Sequence, residues 1–194
     1  MDTAKYFQEF PVLESKRLVL RGIKSEDGKD LYKYYSDEEV TQYMNINSLD
    51  REEEARKLIE KMQGRYEKEE ILPWGITFKG EDRLIGTCYL SDFSMGSMAT
   101  LSYDLSKRHW NVGIMTESLK LIASFAFYQL GLHRIQSFVH PENIASIELL
   151  EKLDFTNEGY LRQYQYHYGE KDFRNVFIFS LLKKDFECES ICPA

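Results

Sequence analysis

Cysteine is scarce in this chain: Cys88, Cys188 and Cys192 make an odd count, with no Cys-x-x-Cys. That argues against a disulfide framework and against a structural zinc site, which takes four closely placed ligands. Histidine is nearly as sparse, and His109, His133, His140 and His167 show no metal-like spacing, so no metal is expected. Positive charge is in deficit. A net charge of −7 argues against nucleic acid as a partner, because phosphate binding wants basic density, and it is compatible with a cationic acceptor such as an amine. No apolar run approaches the roughly 20 residues of a membrane span, so no membrane partner is expected. The opening residues MDTAKYFQEFPVLESKRL lack the basic-then-apolar layout of a secretory leader, and the expected location is cytoplasmic.

What is present is a globular pattern, 43% apolar and 14% aromatic. KRLVLRG (16–22) alternates Leu18 and Leu20 with Val19 and Arg21, as a strand does. Ser25 is placed to cap a helical stretch broken near Ser36–Asp37, and Asp50 to cap a longer helix. In that longer helix Ala55, Leu58, Ile59 and Met62 form the apolar stripe, flanked by Glu52–Arg56 and Glu53–Lys57 pairs. Three strand-like segments follow, LPWGITFK, RLIGTCYLSDF and MATLSYDLS, with turns at KGED and around Gly96. A long helix after Gly113 ends at Gly131, and HRIQSFVH forms the next strand. Two strands flanking one helix predict a parallel β-α-β crossover. A helix with a stripe of Ile144, Ile147, Leu150 and Leu153 comes next, then two strands around GEKD. The expected fold is an α/β (α+β) single domain over 1–194, its core at 16–184: a mostly antiparallel sheet, two central parallel strands, and helices on both faces.

Adjacent parallel strands that diverge open a crevice at their carboxyl ends, where ligands bind. Two helix mouths face it here. At the first, Gly113 offers a point of close backbone approach to the unpaired N–H groups of a helix N-terminus, which bind phosphate; a lone glycine is equally ordinary punctuation. At the second, Asn143 is a good N-cap, with Ser146 in the first turn. Either pair of residues has a purely local reading, and a ligand-holding one as well.

The ordered set ESKRLVLR, LIGTCYL, LSYDLSKRHWNVGIMTESL, FAFYQLGLHRIQSFVHPENIASIELLEKLDF and NEGYLR resembles the GNAT N-acetyltransferase superfamily from about Lys16 to Leu182. Within it, the likeness is to the ribosomal-protein N-terminal (serine/alanine) acetyltransferase branch. The resemblance implies an acetyl-CoA co-substrate whose pyrophosphate lies over the backbone of Val112, Gly113, Ile114, Met115 and Thr116. Against the pattern Q/R-x-x-G-x-G/A, Gly113 matches; Trp110 replaces Gln or Arg, Asn111 a frequent glycine, and Met115 the last small residue. It also implies that Leu105 meets the acetyl-pantetheine arm through its backbone, that Arg108 or Lys107 approaches a CoA phosphate, and that Asn143 contacts the cofactor's amide or thioester region. Ser146 matches a serine proposed as general acid to the leaving thiolate. Asp154 stands where the family has a turn glycine.

The general base is open. The family's helix tyrosine falls at Leu150 and its glutamate after EGxxR at Gln165, which leaves Asp92, Glu158 or a water-relayed proton. Tyr103, Tyr164, Tyr166 and Tyr168 either line an acceptor pocket or pack on a sheet face. The activity implied is direct acetyl transfer to a primary amine, such as a ribosomal protein's N-terminus. The alternatives are a CoA-binding sensor of weak activity and an acetyltransferase for polyamines or aminoglycosides. A monomer or a homodimer fits either.

Overall fold

The computed structural model describes residues 5–94 and 97–186, so the turn around Gly96 and the tail holding Cys188 and Cys192 lie outside the described residues. A helical turn, α1 (Lys5–Gln8), leads into strands β1 (Leu13–Glu14) and β2 (Leu18–Gly22), then helices α2 (Gly28–Tyr35), α3 (Glu38–Thr41) and α4 (Glu52–Glu67). Strands β3 (Ile71–Phe78), β4 (Gly86–Ser94) and β5 (Met98–Leu105) follow. Helix α5 (Ile114–Ser124), strand β6 (Arg134–Val139) and helix α6 (Ile144–Lys152) come next, and strands β7 (Thr156–His167) and β8 (Asp172–Leu182) close the order. The eight strands form one sheet, β1-β2-β3-β4-β5-β6-β8-β7, antiparallel except for β5 beside β6. This is the mixed sheet that the crossover predicts.

Two expected caps are replaced. Ser25 opens a short 3-10 turn with Lys24 in the cap position, because the Asp27 carboxylate takes the Lys24 N–H at 2.8 Å. Asp50 does not cap α4 either: Glu54 reaches back to the N–H groups of Asp50 and Arg51 at 3.0 and 3.1 Å, so the helix starts after Arg51. The break between α2 and α3 falls where expected, with Asp37 accepting the Glu39 N–H at 3.0 Å.

On the main core face Leu72, Trp74, Ile76, Leu90 and Leu101 pack against Leu119, Ile122 and Phe125. A second cluster joins Ile23, Leu31, Tyr34 and Tyr35 to Ala55 and Ile59 of α4. Arg21 is buried beside that second cluster, its guanidinium held by Asp27 at 2.8 Å and Asp82 at 2.6 Å. After Ser124 the helix loosens into a π turn (Phe125–Gln129), and Gly131, at φ 68°, turns the chain into β6.

The feature that positions the site is the short parallel ladder. Only Met98–Thr100 of β5 pairs with Arg134–Gln136 of β6. Yet β5 continues to Leu105 and β6 to Val139. Beyond Thr100 the two strands therefore part, and α5 and α6 both begin at the open end. One member of the expected α6 stripe fails. Leu150 and Leu153 are buried, whereas Ile144, in the first turn at the crevice mouth, is 57% exposed.

Candidate active site

The loop before α5 is built from two left-handed residues. Gly113 caps the helix at φ 77°, and Asn111 adopts φ 59°. Asparagine is the side-chain-bearing residue that best tolerates this region, which is why it can stand where a glycine is frequent. Asp154, at φ 63°, follows the same rule. The Gly113 carbonyl accepts the Glu117 N–H at 3.1 Å, closing the first turn. The N–H groups of Ile114, Met115 and Thr116 precede that bond, so they have no acceptor within the helix. Val112 is exposed and Ile114 buried. Met115, 8% exposed, turns its thioether inward to lie 3.6 Å from the Cys88 sulfur. No Met115 side chain covers the amides. The cradle's geometry fits a pyrophosphate, which meets unpaired amides at the positive end of a helix dipole.

Arg17, just ahead of β2, holds this loop from outside. Its Nη2 donates to the Val112 carbonyl at 3.1 Å and its Nε to the Glu117 carboxylate at 2.7 Å. The second bond neutralises an acidic side chain in the helix's first turn. Nothing in the local sequence announces it, because the partners lie 95 and 100 residues apart. Lys107 is engaged with Glu39, and Arg108 lies exposed in the short 3-10 turn Lys107–His109.

Ser106 donates its N–H to the Ile85 carbonyl at 2.8 Å. Because the pattern alternates along an antiparallel strand, the main-chain groups of Leu105 and Tyr103 turn toward the parted β6 side. The Trp110 indole donates to the Leu105 carbonyl at 2.8 Å, so the residue that replaces Gln or Arg ties the loop to the end of β5. Across the gap, the Asn143 side chain accepts the Ser146 N–H at 3.2 Å, so its capping role is present. Ser146 Oγ lies 2.9 Å from the Tyr103 hydroxyl. The site thus gathers Leu105, Tyr103, Val112–Thr116, Asn143 and Ser146 at one open end.

The two carboxylates weighed as bases are engaged or distant. Glu158 forms a double ion pair with Arg134 at 2.8 and 2.6 Å and accepts from Ser180 at 2.6 Å; Arg134 first and Ser180 second hold its pKa at about 2. Arg134 begins β6, at the end remote from the parting. Asp92 sits near the end of β4, which, being antiparallel, lies beside the start of β5; its φ of 52° marks the bulged register there. Asp92 is thus at the end of the sheet away from the crevice, and the Glu158 carboxylate is occupied by Arg134 and Ser180. Asp104 does face the neighbourhood, and burial raises its pKa against the opposing hydroxyl bonds. It accepts from Tyr34 and Tyr35 at 2.9 Å each, from the Thr87 N–H at 3.2 Å and from the Thr87 hydroxyl. Four donors saturate its lone pairs, so it is a structural acceptor.

Beside Asn143 opens a cleft of about 460 Å³ lined by Gln42, Tyr43, His140, Glu142, Glu170 and Arg174. The His140 ring stacks on Tyr43 at 5.2 Å, and its Nδ1 accepts the Glu142 N–H at 3.3 Å. Burial, then Arg174, lowers its pKa, so the imidazole is neutral at pH 7 and presents Nε2–H. Of the tyrosines, Tyr103 alone joins Ser146. Tyr164 packs on Phe138 at 4.9 Å, and Tyr166 lies between Tyr168 and Phe173 on the β7–β8 hairpin, at 5.4 and 5.2 Å. No group of three or more His, Cys, Asp or Glu side chains able to hold a metal occurs among the described residues, and no helix there is long and apolar enough to cross a membrane.

Known proteins are similar to this chain in sequence and in fold. The acetyltransferase (GNAT) domain family matches residues 17–156. The uncharacterized N-acetyltransferase p20 of Bacillus licheniformis is 36% identical over 175 residues, spanning 90% of this chain and 97% of that protein. The ribosomal protein uS5-alanine N-acetyltransferase of Escherichia coli is 29% identical over 93 residues, covering 47% of this chain and 48% of its own. The fold is shared with RimL, a ribosomal L7/L12 α-N-protein acetyltransferase solved with coenzyme A, at a TM-score of 0.75 and 20% identity over 90% of this chain and 99% of that one. With its family matched over most of the length and its splayed sheet in place, the chain belongs to the GNAT family and is an N-acetyltransferase.

Proposed function

We propose that this enzyme transfers an acetyl group from acetyl-CoA to the α-amine of a polypeptide N-terminus by direct attack in a ternary complex. The observation that carries this reading is the three-residue parallel ladder, Met98–Thr100 with Arg134–Gln136, beyond which Gly113 and Asn143 head two helices around one gap. The amides of Val112 to Thr116 hold the pyrophosphate, and Arg108 is close enough in sequence to meet a further phosphate. The pantetheine arm runs along the free edge of β5 at Leu105, where a main-chain N–H stabilises the thioester oxyanion. Asn143 keeps the first turn of α6 in place, and Ser146 donates to the departing thiolate.

The choice of an α-amine rests on what the crevice lacks. Among the described residues considered as bases, Asp92 lies at the sheet's other end, Glu158 is held by Arg134 and Ser180, Asp104 is saturated, and the His140 Nδ1 lone pair is occupied. The acceptor must therefore arrive largely neutral. At pH 7.5 an α-amine of pKa ~8 is roughly one-quarter neutral, whereas a lysine at ~10.4 is neutral about once in a thousand molecules. The name of the partial Escherichia coli relative points to the same chemistry. Nucleophile and thioester held side by side supply much of the rate without a strong base.

Thiol release from acetyl-CoA tests this directly. Peptides with a free N-terminus and no lysine should be turned over at least tenfold faster than N-blocked, lysine-containing peptides. Equal rates on polyamines or aminoglycosides would move the assignment to small amines. Saturable CoA binding without transfer to any amine would leave a sensor.

A further inference from the structure

The residue that sets Ser146 for its task comes from the sheet. Tyr103, on β5, reaches across the parted strands to Ser146 Oγ at 2.9 Å. Leu150, fully buried on α6, occupies the place where a helix phenol would stand. The Ser146 N–H is already committed to Asn143, which leaves the serine hydroxyl as the adjustable group in this turn.

We infer that Tyr103 is a positioning residue: its phenol O–H donates to Ser146 Oγ and so directs the serine's own hydrogen into the crevice, toward the thioester sulfur. This rests on the acetyl-transfer reading above. The direction of the bond follows from acidity, since a phenol is a much stronger acid than an alkyl alcohol and is the better donor of the pair. Burial raises the Tyr103 pKa further, with the Ser146 bond opposing it, so the phenol keeps its proton throughout. In the reaction the amine lone pair forms the C–N bond and the carbonyl becomes an oxyanion. Its collapse breaks the C–S bond and moves that electron pair onto sulfur. Ser146 Oγ–H hydrogen-bonds the emerging thiolate, the proton shed by the amine passes to solvent, and the thiolate takes its own proton from solvent. Tyr103 ends as it began. It supplies orientation by a phenol on a different element from the usual helix position, and the two hydroxyls form a single unit spanning the gap.

A double-mutant cycle on the full-length enzyme tests this, reading kcat and the acetyl-CoA KM with a peptide acceptor. Tyr103→Phe, which keeps the ring and its packing, should lower kcat about tenfold, the scale of one lost orienting hydrogen bond. Its KM for acetyl-CoA should change less than about twofold, as expected when an interaction acts mainly on the chemical step. Ser146→Ala should lower kcat about a hundredfold, in the range for a lost hydrogen-bond donor to the charge that develops in the transition state. The double variant should be no slower than Ser146→Ala, because Tyr103 acts through the serine. Multiplicative losses in the double variant would overturn the inference, as would an unchanged kcat in Tyr103→Phe. So would a kcat–pH profile that loses its alkaline limb in Tyr103→Phe, which would make the phenol itself the acid. Should Tyr103→Phe unfold, the serine side decides: Ser146→Thr, which retains the hydroxyl, should recover most of the kcat lost in Ser146→Ala, and failure to recover it counts against the pair. Wild-type enzyme that turns over no amine overturns the function reading along with this one, whereas wild-type turnover with an indifferent Tyr103→Phe overturns this one alone.

Discussion

Met115 and Cys88 meet sulfur to sulfur at 3.6 Å inside the core, one from the first turn of α5 and the other from β4. This contact explains how a methionine can stand where the pyrophosphate pattern has glycine or alanine. A flexible thioether can fold into an irregular gap, so the side chain packs inward. The substitution in the motif is accommodated by packing inside the core.

From that contact, Met115→Ala should cost stability while leaving CoA binding nearly intact. Truncating a buried methionine costs about 2–5 kcal/mol. Gly113→Ala should do the reverse in proportion. A Cβ at φ 77° costs about 1–2 kcal/mol of backbone strain. It also adds a methyl group at the cradle, so the CoA dissociation constant should rise at least tenfold. Chemical denaturation and calorimetric titration with CoA check both, and a large affinity loss in Met115→Ala would contradict the uncovered cradle.

Arg17 should matter to CoA through electrostatics. Arg17→Ala removes the clamp on Val112 and leaves Glu117 unpaired in the helix's first turn. An unneutralised carboxylate there repels a pyrophosphate, so affinity should fall several-fold at low salt. Adding Glu117→Gln should recover most of that loss. Titrations at low and high ionic strength distinguish this charge effect, which salt screens, from loss of loop geometry, which salt does not repair.

Glu158 predicts an acid-side change in stability without a change in chemistry. Its pKa in the fold, about 2, lies below the ordinary carboxylate value of 4.5. A depressed folded-state pKa means that the stabilisation is fully present above about pH 4.5 and is lost as pH falls toward 2. Glu158→Gln should flatten the stability–pH curve in that window, yet leave kcat at pH 7.5 within about twofold of wild type, since its carboxylate is taken up by Arg134 and Ser180. A hundredfold fall in kcat would restore Glu158 as a candidate base.

Asp104 should act with the opposite sign. Burial raises its pKa, so it is harder to ionise in the fold than in the unfolded chain. The resulting penalty is absent below the unfolded-state pKa and develops as pH rises through that value toward the folded one. Asp104→Asn retains an acceptor for Tyr34 and the Thr87 N–H, so it should stay folded and lose this pH dependence. Asp104→Ala strands several buried donors and should cost about 1–3 kcal/mol or more. Denaturation at pH 4 and 7 separates the two variants.

Local chemistry explains what is legible in the sequence. Apolar periodicity marked the strands and helices, because a side chain's face depends only on its own element's repeat. Gly113 and Asn143 were legible as helix starts for the same reason: a left-handed cap and an Asn side chain on the third N–H are events within a few residues. Even Asn111 and Asp154, read as departures from glycine, obey a local φ preference. Ser25 and Asp50 misled, because Asp27 and Glu54 reach back to the Lys24, Asp50 and Arg51 N–H groups and set the helix starts at Lys24 and Arg51.

The sequence by itself therefore determined the elements, their crossover and the two helix mouths, all of which depend on interactions over a few residues. Only the tertiary structure decided that the parallel ladder stops after Thr100, that Arg17 grips the loop at Val112, and that Tyr103 faces Ser146. It alone set Glu158 and Asp92 aside, the first by its bonds to Arg134 and Ser180 and the second by its place at the sheet's other end. The physical reason is strand order: neighbours across a sheet are fixed by the joint packing of the whole core, and no short stretch of chain carries that information.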